Sequence, residues 1–140
     1  MINLDIYTNI EDNKLITNLK YQGDLIYHEG ALLSHFIDNN TNNHYFYKWS
    51  DKDNICNRWL IFKVTVKDLI SFFEKKLNLL QLIQVNDFVY FIDLDANLNQ
   101  VNSFICSTQK IPNDYLLSEK SYFKEKQYER YAFELKNKLT

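Results

Sequence analysis

The chain has 140 residues with 16 basic and 18 acidic side chains, a net charge of −2, and 46% hydrophobic residues. That length points to a single domain, residues 1–140, which buries roughly 70% of its unfolded surface and so needs no covalent or metal staple. Ten Tyr, ten Phe and two Trp exclude a disordered chain; no apolar run approaches the roughly 20 residues of a membrane span; and the near-balanced charge gives no electrostatic reason to expect nucleic acid or an anionic membrane as partner.

The start, Met1-Ile2-Asn3-Leu4-Asp5, has neither a basic n-region nor a small-residue cleavage site, so a cytoplasmic location is expected. Ile2, Leu4 and Ile6 alternate with polar residues and suggest a short strand. Ile10 to Lys20 reads as a helical turn or two through Leu15, Ile16 and Leu19, with Asn9 as cap. Tyr21-Gln22-Gly23-Asp24 is a turn signal. Leu25–His28 and Ala31–Ile37 read as strands separated at Glu29-Gly30, where Gly30 supplies a positive φ. With only two Gly and one Pro but seventeen Asn, Asn is expected to do most of the remaining turn work, as in the loop Asp38–Asn43.

Tyr45–Trp49 and Arg58–Val64 are aromatic, β-branched runs on either side of a polar stretch, Ser50–Asn57, and predict a hairpin holding both tryptophans. Thr65 caps a predicted helix Val66–Lys76, in which Val66, Leu69, Ile70, Phe73 and Leu77 recur at helical spacing. Asn78 caps a short turn, Leu79–Ile83. Phe88–Leu94 and Gln100–Ser107, joined through Asp95–Asn99, predict a second hairpin. Beyond Pro112, Ser121–Leu139 reads as a helix with Tyr128, Tyr131, Ala132, Leu135 and Leu139 in one stripe. The sum is an α+β domain: an antiparallel meander of about five or six strands with helices on one face, a C-terminal helix among them.

The candidate chemistry is sparse. Asp93-Leu94-Asp95 closes an apolar strand, and a DxD at a strand end can hold Mg²⁺. It is similar to the motif of haloacid dehalogenase-type phosphotransferases, except that Ala96-Asn97 follows and no later Lys or acidic motif is present. As a calcium loop it has Leu98 at the Gly position and Phe104 at the bidentate Glu position, and Asp51 and Asp53 fail the same test with Cys56 and Phe62. These aspartates read as turn residues. His28, Glu29 and His35 do not converge on a regular strand, because positions seven apart point to opposite faces; His44 falls in the Asn-rich loop. Cys56 and Cys106 belong to no CxxC pair and read as reduced, buried thiols. There is no GxSxG, P-loop or GxGxxG, and no cofactor or metal is expected.

Arg58 and Trp59 lie on opposite faces of their strand. Either Arg58 pairs with a turn Asp across the hairpin and Trp59 enters the core, or these residues form part of an interface, for which Trp, Tyr and Arg are the usual carriers. The C-terminal stripe must likewise bury on its own sheet or on another chain. Trp49, Arg58, Trp59, Tyr128, Tyr131 and Leu135 are therefore the candidate partner-binding residues.

Tyr27-His28-Glu29-Gly30-Ala31-Leu32-Leu33 resembles the YxDGPLL opening of a family of small bacterial proteins of unknown function. In that family a Tyr-rich strand, a WL strand and a late iPxdYlP follow, as in Tyr45-Phe46-Tyr47, Arg58-Trp59-Leu60 and Ile111-Pro112-Asn113-Asp114-Tyr115-Leu116. The likeness spans Tyr27 to Phe123 and departs at Glu29, Ala31 and Leu117. It implies no activity; such proteins sit in mobile or defence-type operons of bacteria and phages. The expected function is a non-enzymatic protein–protein interaction module, an accessory, inhibitor or immunity-type subunit, acting on a protein partner or as a homodimer. The alternatives are a small metal-dependent hydrolase or nuclease-like enzyme using Asp93 and Asp95, and a nucleic-acid-binding accessory protein using Lys120, Lys124, Lys126, Lys136 and Lys138. Interleaved Glu119, Glu125, Glu129 and Glu134 weigh against the last.

Overall fold

Hairpins dominate the architecture, and in three of them an aspartate, Asp38, Asp53 or Asp95, closes the turn by accepting backbone N–H groups. The computed structural model describes residues 1–9, 18–116 and 120–140. Its strands are β1 (Thr8–Asn9), β2 (Leu19–Tyr27), β3 (Ala31–Asp38), β4 (His44–Lys52), β5 (Cys56–Val64), β6 (Phe88–Asp95) and β7 (Gln100–Ser107). Its helices are α1 (Val66–Phe73), α2 (Leu79–Gln84) and α3 (Arg130–Leu139). All strands form one antiparallel sheet in the order β1-β7-β6-β5-β4-β3-β2. The expected meander runs from β2 to β7, and the short β1 adds to its far edge beside Cys106 and Ile105.

The turns follow side-chain chemistry. Between β2 and β3, His28 N–H donates to the Gly30 carbonyl at 2.9 Å, with Glu29 at φ 55° and Gly30 at φ 142°; the latter is a conformation that glycine adopts most readily. Asp38 Oδ1 accepts the Asn40 N–H and Asn42 takes φ 62°, but among the described residues the other left-handed positions outside glycine fall to Glu29, Lys75 and Leu98 rather than to Asn. The β4–β5 turn is tighter than the sequence suggests, because Asp53 Oδ1 accepts both the Ile55 and Cys56 N–H groups at 2.8 Å and lets the strands run on to Lys52 and Cys56. Asp95 closes β6–β7 in the same way, accepting from Asn97 and Asn99 at 2.9 Å. Thr65 caps α1, and Asn78 with Gln81 forms a capping box on α2.

Four expected elements differ. Tyr21–Asp24 is not a turn but the middle of β2, where bulges shift the register. Ile2, Leu4 and Ile6 form no strand; Leu4 plugs the core and Tyr7 N–H turns back to its carbonyl. The C-terminal helix begins at Arg130 rather than Ser121. Ahead of it, Phe123 inserts among Phe72, Phe73 and Tyr128 with ring centroids 4.6–6.0 Å apart, and Glu129 N–H donates to the Leu25 carbonyl of β2. Burial of the Phe123 ring and that tether hold the segment off a helical path. α1 similarly ends early, at Phe73, with Lys75 at φ 64°. The turn expected around Leu15 and Ile16 lies outside the described residues; Leu19, at its end, opens β2.

One face of the sheet carries Leu25, Leu33, Phe46, Leu60, Phe62, Val89, Phe91 and Phe104, packed against Leu69, Phe72, Leu82, Ile83 and Leu135 of the helices. Gly23 is where α3 comes nearest: a Cβ there would lie 2.5 Å from the Tyr131 ring. Gly23→Ala should therefore destabilise by about 1–3 kcal/mol through overpacking, read as a lower urea midpoint with unchanged slope; a neutral result would mean that α3 shifts freely on β2. The opposite face carries its own apolar set, Tyr45, Tyr47, Ile61 and Ile92 with Phe36, Trp59 and Leu94, and none of α1, α2 and α3 packs on it.

Candidate functional site

Among the described residues three features stand out, and two of them serve the fold. In the first, Arg58 is 4% exposed and Asp93 0%. The guanidinium meets the carboxylate through two bonds, Nε to Oδ1 at 2.8 Å and Nη2 to Oδ2 at 2.9 Å. Register brings them together, since Arg58 on β5 is directly opposite Asp93 on β6. Arg58 Nη1 also donates to the Ile2 carbonyl at 2.6 Å and to the Tyr115 hydroxyl at 3.1 Å. Tyr115 in turn donates to Asp51 at 3.0 Å, and Asn102 donates to Asp93 at 3.1 Å. Burial works against the Arg58 charge, but the bonds to Asp93 and Tyr115 more than restore it and leave its pKa raised. Bidentate geometry with the remaining lone pairs satisfied is the condition under which a buried pair holds.

The second cluster joins α3 to the sheet. His35 Nδ1 is 2.7 Å from the Tyr131 hydroxyl and its Nε2 is 2.8 Å from His44 Nδ1. The two imidazoles stack with centroids 5.0 Å apart. Burial, then His44 and Lys138, pull the His35 pKa down to about 3, and burial and Lys138 lower that of His44; burial pushes the Tyr131 phenol up to about 12. His44 lies not in the Asn loop but at the start of β4, diagonal to His35, which is how cross-strand neighbours two residues out of register meet. Neither histidine is among the residues that line the groove on the opposite face. Among the described residues, no group of three or more His, Cys, Asp or Glu is placed to hold a metal ion.

The third feature is open. The helix-free face is concave, since residues from β2 round to the start of β7 line one groove, and the β2–β3, β4–β5 and β6–β7 ladders each carry a register shift of the kind that bends a sheet. The concave side encloses a groove of about 620 Å³, within the size range of pockets that hold ligands or inserted side chains. Tyr21 of β2, Phe36 of β3, Tyr47 of β4, Trp59 of β5 and Ile92 and Leu94 of β6 line it, with Leu98 and Gln100 closing the far end. Phe36 and Tyr47 stack at 3.8 Å and Tyr21 meets Phe36 edge-on at 5.5 Å. Burial drives the Tyr47 phenol strongly upward. Beyond Trp59 a second depression, shared by His28, Trp49, Lys52 and Asn57, continues the surface, and Trp49 Nε1 donates to Asn57 there at 3.0 Å.

The sequence-derived candidates divide accordingly. Arg58 pairs neither outward nor with a turn Asp but with Asp93, reaching Asp51 only through Tyr115. Tyr128 and Leu135 are 8% and 4% exposed and belong to the helix-side core. Tyr131 rests on Gly23 and His35. The chain's own packing covers Arg58, Tyr128 and Leu135, and Tyr131 is partly buried against the same core. Trp49 and Trp59 are cross-strand partners on the opposite face and stay partly exposed. Asp93 is enclosed by Arg58 and Asn102, and Asp95 by backbone donors. Of the C-terminal lysines, Lys136 lies over the Phe123 ring at 5.7 Å and Lys138 is near the histidine pair; Glu125 pairs with Lys75, and Glu134 with Arg130. Glu119 and Leu117 lie outside the described residues. Sequence reading did not single out Phe36, Tyr47, Ile92 or Leu94 as a site. The available signal was that Tyr45-Phe46-Tyr47 and Phe91-Ile92 are apolar at both parities, which marks strands that need cover on both faces. Comparison with protein-family models, curated proteins and solved structures finds no match to this chain.

Proposed function

We propose that this chain is a non-enzymatic protein–protein interaction module, an accessory, inhibitor or immunity-type subunit, and that it engages its partner through the concave aromatic face. The observation that carries this reading is the contrast between the two faces of one sheet. The members of the Arg58–Asp93 and His35–His44 pairs are bonded to each other and to the chain's own groups on the helix-bearing face, whereas Phe36, Tyr47 and Trp59 line an apolar groove on the other. Rigid aromatic side chains on β-strands lose little conformational entropy on contact and supply the anchors of protein interfaces.

Affinity purification of the chain co-expressed with its genomic neighbours tests this. A stoichiometric partner should co-elute with the wild type, and Trp59→Ala should weaken its binding at least tenfold while the melting temperature changes little. A partner retained by Trp59→Ala, or elution as a lone monomer, overturns the reading. If the partner is a second copy, sedimentation will show a dimer that Trp59→Ala dissociates.

A further inference from the structure

The groove has a charge signature as well as an apolar one. Among the described residues that line it, Asp24 is the one with a formal charge. Its Oδ1 accepts the Ser34 hydroxyl at 2.7 Å, and Tyr21 is its other neighbour, with a phenol pushed up by burial and by this carboxylate. Both are neutral groups. Among the described residues no ion pair joins a cation to Asp24. The rings of Tyr21, Phe36, Tyr47 and Trp59 complete the wall. Aromatic faces carry negative quadrupole potential and attract cations, most strongly where water is displaced. A neutral occupant would strip water from the Asp24 carboxylate and leave it without a counter-charge, and an anionic one would be repelled. Lys and Arg combine a cationic head with a stem that packs on apolar surface.

We propose that the groove receives a Lys or Arg side chain presented by a protein partner, its stem against Phe36, Tyr47 and Trp59 and its charge toward Asp24. This rests on the interaction reading above and names the chemistry of the occupant. It places the recognition charge on this chain at a residue that sequence reading had assigned to a turn.

Three six-carbon probes separate charge from hydrophobicity: hexylammonium, 1-hexanol and hexanoate, titrated into the ¹⁵N-labelled protein at neutral pH. Amide shifts should cluster at Tyr21, Ser34, Tyr47 and Trp59, with hexylammonium binding at least fivefold tighter than hexanol and hexanoate weakest. Asp24→Asn should abolish the amine's advantage. Equal affinity of amine and alcohol in the wild type overturns the proposal without needing the variant, as does the absence of shifts at the groove. With the captured partner, Asp24→Asn should reduce affinity at least fivefold. A partner lost by Trp59→Ala but bound normally by Asp24→Asn would overturn the basic-side-chain assignment and leave the docking face standing; a partner indifferent to both would overturn the interaction reading itself.

Discussion

Asp93→Ala is expected to lower the folding stability by about 3–5 kcal/mol, because it leaves a buried guanidinium without its counter-charge. Asp93 is fully buried and accepts two bonds from Arg58 and one from Asn102, so its removal leaves two buried guanidinium donors unpaired. The damage would spread, since Arg58 also holds the Ile2 carbonyl and the Tyr115 hydroxyl. One side chain thus ties β5 and β6 to the N-terminal segment and to the turn after β7. Urea unfolding of Asp93→Ala, Asp95→Ala and the double exchange Arg58→Met/Asp93→Leu checks the argument. Asp95→Ala removes turn acceptors only and should cost about 1 kcal/mol. The double exchange removes both charges and should recover most of the loss, as apolar replacement of buried pairs often does. A cost below about 1 kcal/mol for Asp93→Ala would show that the pair does not hold the fold.

That network also shows where sequence reading stops. The two hairpins, the caps at Thr65 and Asn78 and the turn roles of Asp53 and Asp95 were legible because each is a contact over a few residues. The partnership of Arg58 with Asp93 depends on the β5–β6 register, and α1 and α2 lie between those strands in the chain; no local pattern encodes it. Tyr21-Gln22-Gly23-Asp24 misled for a related reason. Its Gly is required by the Tyr131 ring, more than a hundred residues on, and Asp24 turns toward Ser34 across the hairpin. The helix boundary at Arg130 was missed because the amphipathic stripe from Tyr128 onward is real, while Phe123 is claimed by α1. The groove was partly visible, in strands apolar on both faces, but its lining is gathered from six strands and becomes a site only when the sheet curls.

The histidine pair makes a prediction for acid stability. His35 has an unfolded pKa near 6.5 and a folded one of about 3, lowered by burial first and then by His44 and Lys138. Between those values the unfolded chain binds a proton that the folded chain refuses, so stability is full above about pH 6.5 and falls as pH drops below it. At pH 4.5 the loss from His35 alone is roughly 3 kcal/mol, from two pH units at about 1.4 kcal/mol each. His44 adds in the same direction, since its pKa is also lowered. The mechanism is electrostatic: a charged His35 would still find Tyr131 and His44 as acceptors, but its charge would be enclosed at 1% exposure beside Lys138. The element that loosens is α3, which rests on His35 through Tyr131. Carboxylates also titrate toward pH 4, so the informative quantity is the difference in slope between the wild type and His35→Gln from pH 6.5 to 4.5. Urea midpoints across that range should fall more steeply for the wild type, with amide exchange rising first along α3. Equal slopes would mean that His35 takes up its proton in the folded state without cost, and the link between the imidazole pair and the terminal helix would be lost with it.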